Sequence, residues 1–235
     1  MDLKIPFDTS WRSVAIAMSG GADSTMLAYL ICNNIPSNRL FTVHVINNIR
    51  CWKTKPWQQY DFNSVLRWLE DRFQNITFVV HRNFVPPEME YAYGTMITDE
   101  YGKTVSGDTI ELRAFAEYVC LAQDVDAYFN GVTKNPKDIE GMPARDVEPT
   151  EDNKHLEQMV HMGKLVYHPF RFVDKSEIVL QYKALGLDDL FSLTRSCEGE
   201  FENITYKTYT PGQYVPVCGK CFWCKEREWA IERTV

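Results

Sequence analysis

The stretch SVAIAMSGGADS, Ser13 to Ser24, decides the fold. Ser13 to Met18 is a short apolar run with the length of a buried strand, and Ser19-Gly20-Gly21 then breaks it. An apolar-periodic segment from Ser24 to about Cys32 follows and reads as a helix. Strand, glycine turn and helix in immediate succession form an anion cradle. Two glycines let the backbone turn tightly and approach a ligand, and the first N–H groups of the helix point at it.

The pattern then repeats. Leu40 to Ile46 reads as a second strand, Gln58 to Phe73 as an amphipathic helix and Ile76 to Val80 as a third strand. Thr109 to Gln123 returns to helical period, Ala127 to Asn130 and Lys164 to His168 supply two more strands, and Asp174 to Leu185 a last helix. Such alternation predicts an α/β fold, a Rossmann-like parallel sheet with helices on both faces. Two stretches stand apart. Asn83 to Gly107 reads as a long loop or lid, and Gly131 to Asn153, broken by Pro136, Pro143 and Pro149, as a second mobile segment.

The turn is not a Walker A loop, which needs a Lys before its Ser or Thr and more residues between its glycines. Its charged residue is Asp23. A carboxylate beside phosphate is repulsive unless a divalent cation lies between, so Mg²⁺ held by Asp23 and phosphate oxygens is implied. Ser19 and Ser24 add hydroxyl groups. A plain turn in which Asp23 or Ser24 caps the helix is the competing explanation.

The chain has 235 residues, with 25 Lys+Arg against 32 Asp+Glu, a net charge of −7. That length suits one domain with a small annex, and 45% apolar residues suffice for a core. The acidic balance argues against a broad nucleic-acid surface, which needs clustered Lys and Arg. The N-terminal residues lack a signal-peptide pattern and no apolar run is long enough to span a bilayer, so a cytoplasmic protein with no membrane partner is expected.

Four of seven cysteines crowd the C-terminal part as Cys197, Cys218, Cys221 and Cys224. Three thiols within seven residues and a fourth upstream match tetrahedral Zn²⁺ in a closed structural site, and Gly219 suits the knuckle turn. An iron–sulfur cluster is the rival, since C-x2-C-x2-C also opens the bacterial ferredoxin run. That run continues with x3-C-P, whereas Glu228 and Trp229 stand at the matching positions here. Cys32, Cys51 and Cys120 read as packing residues. The last forty residues are too poor in apolar runs to fold alone and need such a staple. The expected division is therefore 1–190 for the nucleotide domain and 191–235 for the cysteine segment.

Ser-Gly-Gly-x-Asp-Ser after the first strand resembles the signature of the PP-loop, or N-type ATP pyrophosphatase, superfamily. The resemblance implies ATP as substrate, gripped along Met18, Ser19, Gly20, Gly21, Ala22, Asp23, Ser24 and Thr25, with cleavage to AMP and pyrophosphate. Asp23 and Ser24 would then act catalytically. Asp174-Lys175-Ser176-Glu177 contains a capping box, Asp174 with Glu177, that leaves Lys175 unexplained. In the family a Lys at this helix start reaches the phosphates, offsetting charge on the leaving pyrophosphate. His44 falls where the family's adenine-facing segment lies.

Taken with Ser196-Cys197 and the terminal run Cys218-Gly219-x-Cys221-x2-Cys224-x2-Arg227, the motifs are similar to those of the 7-cyano-7-deazaguanine synthase (QueC) family over nearly the whole chain. That resemblance implies 7-carboxy-7-deazaguanine and ammonia as substrates and a homodimer as assembly. Three segments depart from it: Ser106-Gly107-Asp108-Thr109 in place of Pro-Gly-Arg-Asn, Asn135-Pro136-Lys137-Asp138 in place of Tyr-Pro-Asp-Cys, and Asn48-Ile49-Arg50 in place of Gln-Arg-His. Transfer of the activated carboxylate to another amine, or a nucleotide-binding zinc scaffold without catalysis, are the alternatives these departures leave open.

Overall fold

The computed structural model describes residues 3–50, 58–85, 96–98, 104–140, 142, 156–158, 163–199, 209–210 and 212–235. β1 (Ser13–Ala17), α1 (Ala22–Asn34), β2 (Phe41–Arg50), α2 (Gln58–Arg72) and β3 (Ile76–Val85) form the first half of the chain. A short antiparallel hairpin, β4 (Met96–Thr98) with β5 (Thr104–Ser106), precedes α3 (Gly107–Ala122) and β6 (Ala127–Asn130). β7 (Leu156–Gln158), β8 (Leu165–Tyr167), α4 (Lys175–Ala184), α5 (Asp188–Leu193) and α6 (Phe222–Glu232) complete it.

The main sheet has the order β3-β2-β1-β6-β8-β7, parallel throughout except for the antiparallel edge strand β7. Because side chains alternate across a strand, β1 feeds two cores. Val14 and Ile16 meet α1, α2 and α4 through Leu27, Phe62 and Ile178. Ala15 faces the other side, with Ile46, Tyr128 and Ala116, Val119 and Cys120 of α3. Helices thus cover both faces, and the α/β doubly wound architecture is established. The chain leaves β1 in opposite directions, to β2 and β3 on one side and to β6 and β8 on the other. The switch point lies between β1 and β6, where open α/β sheets place their ligands.

The segment from Asn83 onward is not the continuous loop that its glycines and prolines suggest. β2 and β3 stay in register out to Arg50 and Val85, and Gly107 already belongs to α3. The added pairing comes from the main-chain ladder, which leaves no mark on apolar periodicity. Residues 86–95 and 99–103 lie outside the described residues. In the second irregular stretch, residues 131–140 are described and mix buried with exposed positions, Gly131, Thr133, Asn135, Pro136 and Ile139 being buried; its continuation at 143–153 lies outside the described residues. Cys32 and Cys120 are buried packing residues; Cys51 lies outside the described residues.

Among the described residues no helix is long and apolar enough to cross a membrane.

Candidate functional site

The glycine turn is fixed by its neighbours. Gly20 has φ +85°, and a Cβ there would sit 2.9 Å from the Phe62 backbone of α2, so both conformation and space demand glycine. Its carbonyl accepts from Arg195 N at 2.9 Å. Across the turn, a Cβ on Gly131 would lie 3.2 Å from Ser24, so the segment after β6 presses against the start of α1.

Ser19 Oγ accepts from Gly21 N at 3.3 Å, Ser24 Oγ accepts from Ser19 N at 3.2 Å, and the same Ser24 hydroxyl donates to Gly21 O at 3.3 Å. The two hydroxyls thus brace the turn. Met18 and Thr25 are buried, which leaves them main-chain roles; Met18 N bonds Ile46 O and Thr25 N bonds Gly21 O, each at 3.0 Å.

The two helices that open toward this point end differently. α4 is closed by a full capping box: Asp174 accepts from the N–H groups of Ser176 and Glu177, and Glu177 accepts from Asp174 N. The N-cap of α1 is Gly21, with no side-chain cap. The first-turn N–H groups of Ala22, Asp23 and Ser24 have no partner within the helix and carry its positive dipole end, which is the physical requirement for holding an anion.

Asp23 and Lys175, 152 positions apart in sequence, meet here. Lys175 Nζ lies 3.0 Å from Asp23 Oδ2 and 2.8 Å from Glu226 Oε2. Lys175 is 3% exposed and Glu226 fully buried. Burial works to strip the Lys175 proton, but the Asp23 and Glu226 carboxylates outweigh it and the ammonium's pKa is raised. A buried cation between two carboxylates is costly to disrupt from either side, so the cluster is rigid. Thr133 Oγ1 lies 3.5 Å from Asp23 Oδ2. Asp23 Oδ1 is buried without a hydrogen-bond partner among the described residues, and such an acceptor fits a divalent cation.

The loop is buttressed from below. Tyr182 OH donates to Ala22 O at 2.8 Å, and burial raises its pKa well above the usual phenol value. Arg227 of α6 donates to Thr194 Oγ1 at 2.8 Å and Phe191 O at 2.9 Å, its guanidinium 4.0 Å from the Phe191 ring. Arg195 bonds Val215 O and Pro216 O and lies 3.7 Å from Asp61. Burial lifts the Asp61 carboxyl to about 6 despite that guanidinium.

His44 lies apart from the Asp23–Lys175 pair. It sits on β2 level with Ala15, on the α3 face, and its Nδ1 is 2.9 Å from His81 Nε2 with the rings stacked. Burial depresses both imidazoles below their ordinary pKa, and the proximity of His81 adds to this for His44.

The four predicted cysteines converge: their Sγ atoms all lie within 4.8 Å of one another, with Cys218 and Cys224 3.9 Å apart. Cys218 N and Gly199 N point at Cys197 Sγ, at 3.2 and 3.5 Å. The Cys221 thiol, then these N–H groups against burial, hold Cys197 down to about 4, while Cys221 is pushed up in exchange. Four sulfurs around one centre with a thiolate already favoured fit a single tetrahedral ion, whose ligand sulfurs stand ~3.8 Å apart. Gly219, φ +70°, makes the knuckle turn. Gly199 is imposed by the cluster, since a Cβ there would fall 2.2 Å from Cys218 Sγ.

Sequence reading missed Glu226, Tyr182, Arg195, Gly199 and His81. The charged run Lys225-Glu226-Arg227 looks like a solvated helix face; only the four-residue step from Glu226 to buried Ala230 hints that it turns inward.

No protein-family model matches the chain. No curated protein matches it either. Among solved structures it is similar to the U34-tRNA thiolase NcsA from Methanococcus maripaludis, solved with its 4Fe-4S cluster, at 15% identity and TM-score 0.43, covering 97% of this chain and 66% of that one. Phosphoadenylyl-sulfate reductase from Candida auris, a phosphate complex, has 14% identity and TM-score 0.42 over 83% of this chain and 82% of that one. The NH3-dependent NAD synthetase from Campylobacter jejuni, in complex with nitrate, has 15% identity and TM-score 0.42 over 78% and 68%. Likeness at this level assigns no activity or ligand to this chain.

Proposed function

We propose that this chain is a PP-loop ATP pyrophosphatase of the 7-cyano-7-deazaguanine synthase type. It converts 7-carboxy-7-deazaguanine and ammonia to the nitrile preQ0, releasing AMP and pyrophosphate. The observation that carries the reading is the meeting of Asp23 and Lys175 at an uncapped helix start beside the β1/β6 switch point.

The α1 N-terminus and the glycine turn bind the β- and γ-phosphates through backbone N–H groups. Asp23, with its orphaned Oδ1, would hold Mg²⁺, which when bound screens carboxylate from phosphate and draws charge from the departing pyrophosphate. Lys175 sets a fixed, buried cation beside the same charge. A substrate carboxylate oxygen bonds to the α-phosphorus as the bond to pyrophosphate breaks, which turns a poor electrophile into one with AMP as leaving group. Ammonia adds to the carbonyl carbon, loses a proton and expels AMP, giving the amide. A second ATP adenylates the amide oxygen, and loss of AMP and two protons leaves the nitrile.

Cys197, Cys218, Cys221 and Cys224 would hold Zn²⁺ as a structural ion, so that the segment 191–235 anchors α6 against the nucleotide domain, 1–190. His44, paired with His81, is proposed to line the adenine side.

The test incubates the protein with ATP, Mg²⁺, 7-carboxy-7-deazaguanine and ammonium and follows AMP and product by mass spectrometry. AMP with a nitrile is the expected result. AMP with amide only, or with a modified amine, moves the assignment to a carboxylate-activating enzyme with another acceptor, the reading favoured by Asp108 where the family carries Arg. No AMP under any condition overturns both.

A further inference from the structure

Glu226 is the unusual member of the buried cluster. It is fully buried, on α6, and places a second carboxylate beside a site that must accept a polyphosphate. Two carboxylates, Asp23 and Glu226, flank the Lys175 ammonium, and by Coulomb's law alone a second carboxylate opposes an incoming anion. A carboxylate with that cost needs a compensating role.

The geometry supplies one. Lys175 opens α4, Glu226 lies on α6, and the ammonium is drawn toward Glu226 at 2.8 Å as well as toward Asp23 at 3.0 Å, with the face of Trp223 5.9 Å away. With Asp23 as sole partner, the ammonium would be committed wholly to the carboxylate that the cation needs; Glu226 divides it between two. The backbone that carries Glu226 begins at the knuckle. Cys221 is the N-cap of α6, its carbonyl accepts from Cys224 N at 2.9 Å and Lys225 N at 3.1 Å, and Glu226 is the next residue.

We propose that Glu226 is a positioning residue: it shares the Lys175 ammonium with Asp23, sets where that cation stands beside the glycine turn, and so ties nucleotide affinity to the helix that starts at the cysteine cluster. The inference rests on the ATP reading above. Its sign is diagnostic. A carboxylate that acted only through its charge would make binding tighter when removed, whereas a positioning carboxylate makes binding weaker.

The experiment measures binding of the Mg²⁺ complex of α,β-methylene-ATP by calorimetry to the whole chain with its metal, in wild type, Glu226→Gln, Lys175→Met and the double variant, with a thermal melt for each. The expected result is a Kd raised about tenfold by Glu226→Gln. Within the Lys175→Met background the same change has no further effect, because the two residues act as one unit. Glu226→Asp, which keeps the charge and shortens its reach, falls between wild type and Glu226→Gln and serves as the test should the Gln variant not fold. Unchanged or tighter binding in the folded variants overturns the inference, as does an equal loss in both backgrounds. No binding by the wild type removes the ATP reading itself, and this inference with it; binding by the wild type with no effect of Glu226 removes this inference alone.

Discussion

The glycine turn and the cysteine knuckle are joined through Lys175, which pairs with Asp23 at the one and with Glu226 on the helix leaving the other, yet they are built on contrary principles. The loop is made by backbone: a positive-φ glycine wedged against Phe62, an uncapped helix start and apolar strands beneath it. Its shape follows from packing that exists without any ligand. The knuckle has little packing of its own. In α6 only Glu226 and Ala230 are buried, and the segment is gathered where four thiols converge on one centre that an ion would fill. One site is preorganised by the fold, whereas an ion held by the other would itself organise part of the fold.

Metal removal gives the widest separation of the two. A chelator should release one ion per chain, lower the melting temperature by at least about 5 °C and abolish amide exchange protection in α6, while β1, β2 and β6 keep theirs. Equal loss of protection in the sheet would erase the distinction. The converse perturbation is Gly20→Ala, where the left-handed backbone and the contact with Phe62 together cost about 2–5 kcal/mol. Denaturant unfolding should record that loss with nucleotide binding abolished and metal stoichiometry still one.

Smaller and pH-dependent effects follow from the groups flanking the loop. Asp61 has its carboxyl raised to about 6 in the fold against 3.8 unfolded, so the folded state holds the proton longer. Stability from this group is greatest below pH 4 and falls as pH rises to about 6, on the order of 1–2 kcal/mol, and Asp61→Asn should flatten that segment of the stability–pH curve. The His44–His81 pair acts with the opposite sign. Both are depressed below 6.5, so the unfolded chain takes up protons first; their contribution is complete above pH 6.5 and is lost as pH falls from there through their lower folded values. Replacing both with Leu should remove this acid-side loss in the same titration, the smallest of the effects.

Much of the site was legible because it is local. Ser19 to Ser24 encode a turn and a helix start within six residues, and Cys218-x2-Cys221-x2-Cys224 brings three thiols together by the geometry of one knuckle. Lys175 was legible as a residue that its capping box did not explain and to which the family resemblance gave a role. Glu226 was not legible: a Glu inside a charged run looks solvated, and its burial depends on α6 docking against α4. His81 was hidden for a similar reason, since its partner lies on the neighbouring strand and the register between β2 and β3 is not written in either alone.

The sequence by itself determined the doubly wound sheet, the glycine turn into a helix start and the set of four cysteines, because each rests on residues close in the chain and on short-range rules of backbone and period. Only the tertiary structure decided which charges meet. Lys175 stands between carboxylates 152 positions before it and 51 positions after it, and no local rule can bring those three together. Burying a charge is costly, so the partner that makes it affordable must come from wherever the packing of separate helices delivers it.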